Sequence, residues 1–358
     1  MRGERGGLSR RDFLWNTALG AGVSALGGVL SACGGRDRTP RTPGKLEDQL
    51  NIYNWSDYIA EDVIPRFESE FGVRVVYDTY ESNEEMLAKL QAGASGYDIV
   101  VPTGYIIEAM TATGLLAPLD RNLLTNWSNL SPVLLGQPAD PDNTFSVPYQ
   151  WGTTGIAWRT DLVARAPDSW GVFQDPAFDR KMTMLDDGRE VIGSFLKYRG
   201  HALNSVVPAE LQQARDDAIE ARPHLKAWLS AQVKEQLIAG DVWIAQAWSG
   251  DTAQARRQQP NLAFATPREG SAIWSDSLVI PRTSPHPRAA HEFINFVLRP
   301  DIATAIAEFT GYGSPNIKAT PATPVPFPST EELARLEWQR DLGRANQMWD
   351  RIWTEIRA

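Results

Sequence analysis

Three short segments set an aromatic ring beside a hydroxyl or a carboxylate directly after a strand-like stretch: Trp55-Ser56-Asp57-Tyr58, Tyr80-Glu81-Ser82 and Thr103-Gly104-Tyr105. An aromatic face attracts a cation, Trp most strongly, and a carboxylate fixes the cation's position through charge-assisted hydrogen bonds. The chemistry within reach of these residues is the capture of a small amine or a metal ion. The whole chain shares the bias, with 13 Trp among 358 residues and 44 Asp and Glu against 35 Lys and Arg, a net charge of −9. A negative surface concentrates cations and speeds their capture, and it excludes a protein whose affinity comes from neutralising phosphates, so nucleic acid is not an expected partner. Asp187 and Glu190 could act as a general acid and base on a bound substrate, which keeps an enzyme as the alternative from another class. Little else supports it: the chain has no G-x-S-x-G, H-E-x-x-H, Walker loop or G-x-G-x-x-G, and His201, His224, His286 and His291 lack metal-ligand spacing. His291 with Glu292 reads as a surface pair on an amphipathic helix, and no cofactor or metal is expected.

These residues need strands that end where they begin. Leu50–Asn54 and Val73–Tyr77 alternate like strands, with an amphipathic helix spaced over Glu61–Phe71 between them. Ser82-Asn83-Glu84-Glu85 has capping-box spacing ahead of Met86, Leu87 and Leu90, and that helix stops at Gly93 before the strand Tyr97–Val101. Two successive crossovers make a parallel sheet covered by helices, and ligands of such sheets sit at the carboxyl ends of the strands. Two long extended segments, Ser146–Trp158 and Ile273–Ile280, the second followed by a helix over Arg288–Leu298, could cross between two lobes and back. The expectation is an α/β protein built as a hinged clamp that buries a small ligand between its lobes. With 42% apolar and 22% charged residues, the chain has an ordinary globular composition.

The N-terminus reads as an address. Ser9-Arg10-Arg11-Asp12-Phe13-Leu14 precedes a Gly/Ala-rich stretch without charge until Arg36, which looks like a twin-arginine export signal with Trp15 where Lys is common. The stretch ends in Leu30-Ser31-Ala32-Cys33, similar to a bacterial lipoprotein box, so Cys33 is the expected lipidation site and the only membrane attachment. Loss of residues 1–32 removes four Arg and two acids and moves the net charge from −9 to −11. Residues 33–48 have the composition of a solvated tether. Cys33 is the single Cys, so no internal disulfide can form.

From about Leu50 to the C-terminus the chain resembles the polyamine-binding (spermidine/putrescine) proteins of bacterial ABC importers, within the extracellular solute-binding proteins. The resemblance is carried by Tyr53-Asn54-Trp55-Ser56-Asp57-Tyr58, Tyr80-Glu81-Ser82-Asn83-Glu84, Tyr97-Asp98-Ile99-Val100-Val101-Pro102, Pro148-Tyr149-Gln150-Trp151-Gly152 and Leu185-Asp186-Asp187-Gly188-Arg189-Glu190-Val191. It continues through Trp248-Ser249-Gly250, Trp274-Ser275-Asp276-Ser277, Leu298-Arg299-Pro300-Asp301 and Gly311-Tyr312. It implies a two-lobed periplasmic-binding-protein fold of type II, each lobe a mainly parallel sheet flanked by helices and joined by a two-strand hinge. Lobe 1 would hold residues 49–152 and 276–320, lobe 2 residues 153–275 and 321–358. It also implies a non-catalytic receptor in the cell envelope, working as a monomer and delivering a polyamine to a permease and its ATPase.

Carried over by position, the aromatic box comprises Trp55, Tyr58, Tyr105, Trp248, Trp274 and Tyr312. The matching acids are Asp187, Glu190 and Asp276, with Asp57 and Asp251 beside them; Ser56, Thr103 and Ser230 supply hydroxyls and Gln339 an amide. Arg189 matches as well and reads as structural, since a cation beside bound ammonium groups would weaken them. Ser56, Asp57 and Asp251 resemble the putrescine-preferring branch, whereas Tyr105, Asp187, Glu190 and Trp274-Ser275-Asp276 resemble the spermidine-preferring one. Five acids exceed the two charges of putrescine, which favours spermidine; another small organic cation on the same fold is the alternative ligand.

Overall fold

The computed structural model describes residues 46–358 apart from 94–95, 231, 324 and 326–327, so the export signal, Cys33 and most of the tether lie outside the described residues. Alternating burial over Gln49–Trp55 makes strand β1. It is followed by α1 (Val63–Phe71), β2 (Arg74–Tyr80), α2 (Asn83–Gln91), β3 (Ile99–Val100) and α3 (Gly104–Ala112). Both β2 and β3 pair in parallel with β1, the double crossover expected from the spacing. Two boundaries differ from that expectation. β2 runs on to Tyr80, whose buried hydroxyl donates to the Val101 carbonyl at 2.7 Å. β3 is only two residues long: Tyr97, ahead of it, stacks on Tyr53 with ring centroids 4.6 Å apart, and Pro102, after it, has no N–H to extend the ladder.

Strand β4 (Ser146–Arg159) is buried along its full length. After it come β5 (Met182–Met184), α4 (Gly188–Tyr198), α5 (Pro208–Ala221), β6 (Leu225–Trp228), α6 (Val233–Ala239), β7 (Ile244–Trp248), α7 (Ser249–Gln258), β8 (Leu262–Ala265) and β9 (Ser271–Val279). The chain closes with α8 (Pro287–Val297), α9 (Pro300–Thr310), the single turn α10 (Thr330–Leu333), β10 (Leu336–Trp338) and α11 (Asn346–Arg357). Through Thr153, β4 runs antiparallel to β9; from Thr154 it pairs with β7, and from Ile156 also with β8. The order β2-β1-β3-β9-β4-β7-β5-β6 therefore has a parallel trio at each end and antiparallel joins in the middle.

Each trio has an apolar core on both faces. In the first lobe, Val63 and Phe67 of α1 meet Phe293 and Phe296 of α8 on one face, and Met86, Ile106 and Met110 fill the other. In the second, Phe195, Leu211, Trp349 and Ile352 from α4, α5 and α11 cover one face, and Val233, Leu237 and Ala255 from α6 and α7 cover the other. Among the described residues no helix is long and apolar enough to cross a membrane. His291 corrects the sequence reading: it is buried, not a surface residue. Its Nε2 accepts from the Asp120 N–H at 2.9 Å and its Nδ1 meets the Pro287 carbonyl at 2.6 Å, which fixes the tautomer with the proton on Nδ1.

Candidate functional site

The carboxyl ends of the parallel strands converge, and most of the predicted site residues follow one of them. Trp55 ends β1, its indole N–H donating to the Val101 carbonyl at 2.9 Å. Asp57 takes a left-handed φ of 53°, a conformation that short polar side chains tolerate. The turn it makes sends its neighbours apart: the Ser56 hydroxyl donates to Glu81 at 2.7 Å and the Tyr58 hydroxyl to Asp276 Oδ2 at 2.7 Å. Thr103 stands at the start of α3 without capping it, because its hydroxyl donates to Asp276 Oδ1 at 2.7 Å. Tyr105 in the next turn donates to Glu84 at 3.2 Å and meets the Asn83 amide at 3.1 Å.

From the other lobe, Asp187 caps α4 by accepting the N–H groups of Arg189 and Glu190, and Glu190 sits in the first turn of that helix, where the helix dipole favours anions. Ser230 follows β6, Trp248 ends β7 and Asp251 lies in the first turn of α7. β9 contributes Trp274 and Asp276 from within the strand, Tyr312 follows α9, and Gln339 follows β10.

All fifteen predicted positions line one cavity of about 80 Å³. Apart from Glu81, which accepts from Ser56, its carboxylates fall into three groups. Glu190 accepts from the Gln339 amide at 3.2 Å and the Trp248 indole at 3.4 Å, with Asp187 beside it. Asp276 accepts only the two hydroxyls already described. Asp251 accepts from the Tyr312 hydroxyl at 2.8 Å and shares its end of the cavity with Asp57. Ring contacts hold the aromatics in place: Tyr312 lies edge-on 5.3 Å from Tyr58 and 5.2 Å from Trp274, and Trp55 lies tilted 4.5 Å from Tyr80.

Burial dominates the electrostatics. Loss of water pushes the Asp276 carboxyl up to about 7 against two stabilising hydroxyl bonds, and pushes Glu190 up to about 8 with Asp187 adding to the rise. Asp187 and Asp251 are raised by burial too. A set of buried acids that resist ionising alone is suited to a ligand that brings its own positive charge. Arg189 does not line this cavity. Its guanidinium lies between the rings of Tyr105 and Trp349, at 5.1 and 4.7 Å, and donates to the Arg340 carbonyl at 2.7 Å.

Sequence reasoning missed four lining residues: Tyr80, Glu81, Asn83 and Lys234. The first two belong to a post-strand segment already singled out, and Asn83 opens the helix after it. Lys234 gave no signal. It leaves α6 with its side chain only 10% exposed, and its Nζ lies 3.0 Å from Asp57 Oδ2 and 3.0 Å from Gln254 Oε1. Among the described residues no group of three or more His, Cys, Asp or Glu side chains is placed to hold a metal ion.

Known proteins resemble this chain over nearly its whole length. The sequence profile of the family "Bacterial extracellular solute-binding protein" matches residues 62–334. The spermidine/putrescine-binding periplasmic protein of Salmonella typhimurium is 34% identical over 349 residues, covering 95% of this chain and 97% of that protein. The putrescine/cadaverine-binding protein of Pseudomonas aeruginosa is 35% identical over 331 residues, covering 87% of this chain and 94% of that one. Among solved structures, the TpPotD lipoprotein of Treponema pallidum superposes with a TM-score of 0.80 at 30% identity, over 86% of this chain and 99% of that one.

Proposed function

This chain belongs to the bacterial extracellular solute-binding proteins, and from that premise we propose that it captures a polyamine between its lobes and hands it to the permease and ATPase of an ABC importer. The observation that carries the reading is the set of three carboxylate groups facing aromatic rings in one cavity. A polyamine is a methylene chain studded with ammonium groups. The rings of Trp55, Tyr58, Tyr105, Trp248, Trp274 and Tyr312 cover the methylenes and face the cations, while Asp187, Glu190, Asp276, Asp57 and Asp251 fix the ammonium positions. Ser56, Thr103, Ser230 and Gln339 complete the polar lining. Spermidine is favoured over putrescine, because a dication would leave more buried carboxylates unpaired than a trication does.

In this reading, residues 49–152 with 276–320 form one lobe and residues 153–275 with 321–358 the other. The second lobe closes over an amine held by the first, and each ammonium–carboxylate contact strengthens as water leaves. The protein binds and releases its ligand unchanged, acts as a monomer, is exported by the twin-arginine route and is held at the membrane by lipid on Cys33.

The test is calorimetric titration of the signal-free chain with putrescine, spermidine and spermine, after bound ligand has been stripped by unfolding and refolding. One-to-one binding that is tightest for spermidine is expected, and Glu190→Gln or Asp276→Asn weakens it by roughly ten- to a hundredfold, the worth of a hydrogen bond to a charged group. A chain that binds none of the three amines is not a polyamine receptor.

A further inference from the structure

The cavity's one lining cation is attached to the protein. Lys234 ends in an aminobutyl group, the same four-methylene ammonium that terminates putrescine and spermidine, and it lies at the Asp57 and Asp251 end of the cavity. Its position is fixed from two sides. Asp57 is held by the left-handed turn after β1, and Gln254 turns its carbonyl oxygen to Lys234 because its amide nitrogen donates to the Thr310 carbonyl at 2.8 Å. Asp251, buried and bonded to the Tyr312 hydroxyl, also feels the lysine: its carboxyl is raised by burial, and the Lys234 charge opposes the rise. The ammonium is therefore held in place by the protein's own groups, Asp57 and Gln254.

We propose that Lys234 determines specificity: its fixed ammonium takes the place of a ligand ammonium at the Asp57–Asp251 end, so the cleft admits one fewer ligand charge than its acids would hold. This rests on the polyamine reading above. Lys234 already occupies the Asp57 carboxylate and sets a fixed positive charge at that end, so a tetra-amine that extends further along the cleft brings its terminal ammonium against Lys234. Two like charges about 4 Å apart repel by enough to weaken binding about sixfold at the dielectric of water, and by more than tenfold at the lower dielectric of a partly buried site.

The experiment titrates wild-type, Lys234→Gln and Lys234→Arg chains with spermidine and spermine and compares the ratio of the two Kd values. Wild type and Lys234→Arg are expected to disfavour spermine by about tenfold or more, and Lys234→Gln to shrink that ratio about tenfold. Thermal melting checks that each variant folds. Asp57→Asn provides an independent arm: with its partner gone, Lys234 turns to Asp251, and spermine is disfavoured more strongly than in wild type. A ratio that stays the same in Lys234→Gln and Asp57→Asn, with spermidine still bound by wild type, overturns the role of Lys234 and leaves the polyamine reading standing. Wild type that prefers spermine overturns it as well. Failure of wild type to bind either amine overturns both readings together.

Discussion

The raised carboxyls of the cavity tie ligand binding to protons. In the empty protein, burial lifts Asp276 to about 7 and Glu190 to about 8, so at pH 7 the first is about half protonated and the second about nine-tenths protonated. An ammonium ligand holds both carboxylates ionised, so binding at pH 7 releases about 1.4 protons. Affinity rises with pH, because fewer protons remain to be displaced; between pH 6 and pH 8 the two groups together give a gain of roughly 500-fold. The assay is titration calorimetry at pH 6, 7 and 8, repeated in buffers of different ionisation enthalpy so that released protons are counted directly. Asp276→Asn lowers the release at pH 7 to about 0.9 protons. The same values set the sign for folding. Between the ordinary carboxyl range near pH 4 and the raised values, the folded chain holds protons that the unfolded chain gives up, so the empty protein loses stability as pH rises through that window. Affinity that is flat from pH 6 to 8, with no protons released, would refute the argument that burial controls these acids.

Two further outcomes can be checked. A Cβ on Gly152 would lie 2.7 Å from the Trp274 ring and 2.9 Å from Ser249 Oγ, so Gly152→Ala pushes the indole from its place in the cavity wall; spermidine affinity measured by titration falls about tenfold and the melting temperature drops. Stopped-flow capture by the signal-free chain, which carries a net charge of −11, slows several-fold between about 10 mM and 500 mM salt as steering is screened, while an uncharged surface patch would give a flat rate.

The parts of this structure that local sequence encodes were the parts that could be read. Trp55 to Tyr58, Thr103 and Tyr105 were legible because strand alternation locates the carboxyl ends, and the topology of parallel sheets places ligands there. Asp276 and Trp274 could not be found by that rule, since β9 runs antiparallel and presents them from mid-strand; only likeness to relatives pointed to them. Lys234 was illegible for a different reason. A lysine in the first turn of a polar helix is usually solvated, and its burial follows from Asp57, which is 177 positions away in sequence. His291 failed in the same manner: the Asp120 N–H that buries it comes from a loop no periodicity connects to α8.

Strand β4 links the two halves of the sheet, with every one of its residues buried and its hydrogen bonds passing from β9 to β7 at Thr153 and Thr154. A strand shared in this way cannot slide past itself, and pulling the lobes apart would break a ladder of bonds. What it permits is rotation about its own length, like a torsion bar clamped at both ends. In the clamp proposed above, closure is carried as a twist of β4 together with β9, which the same ladder ties to it.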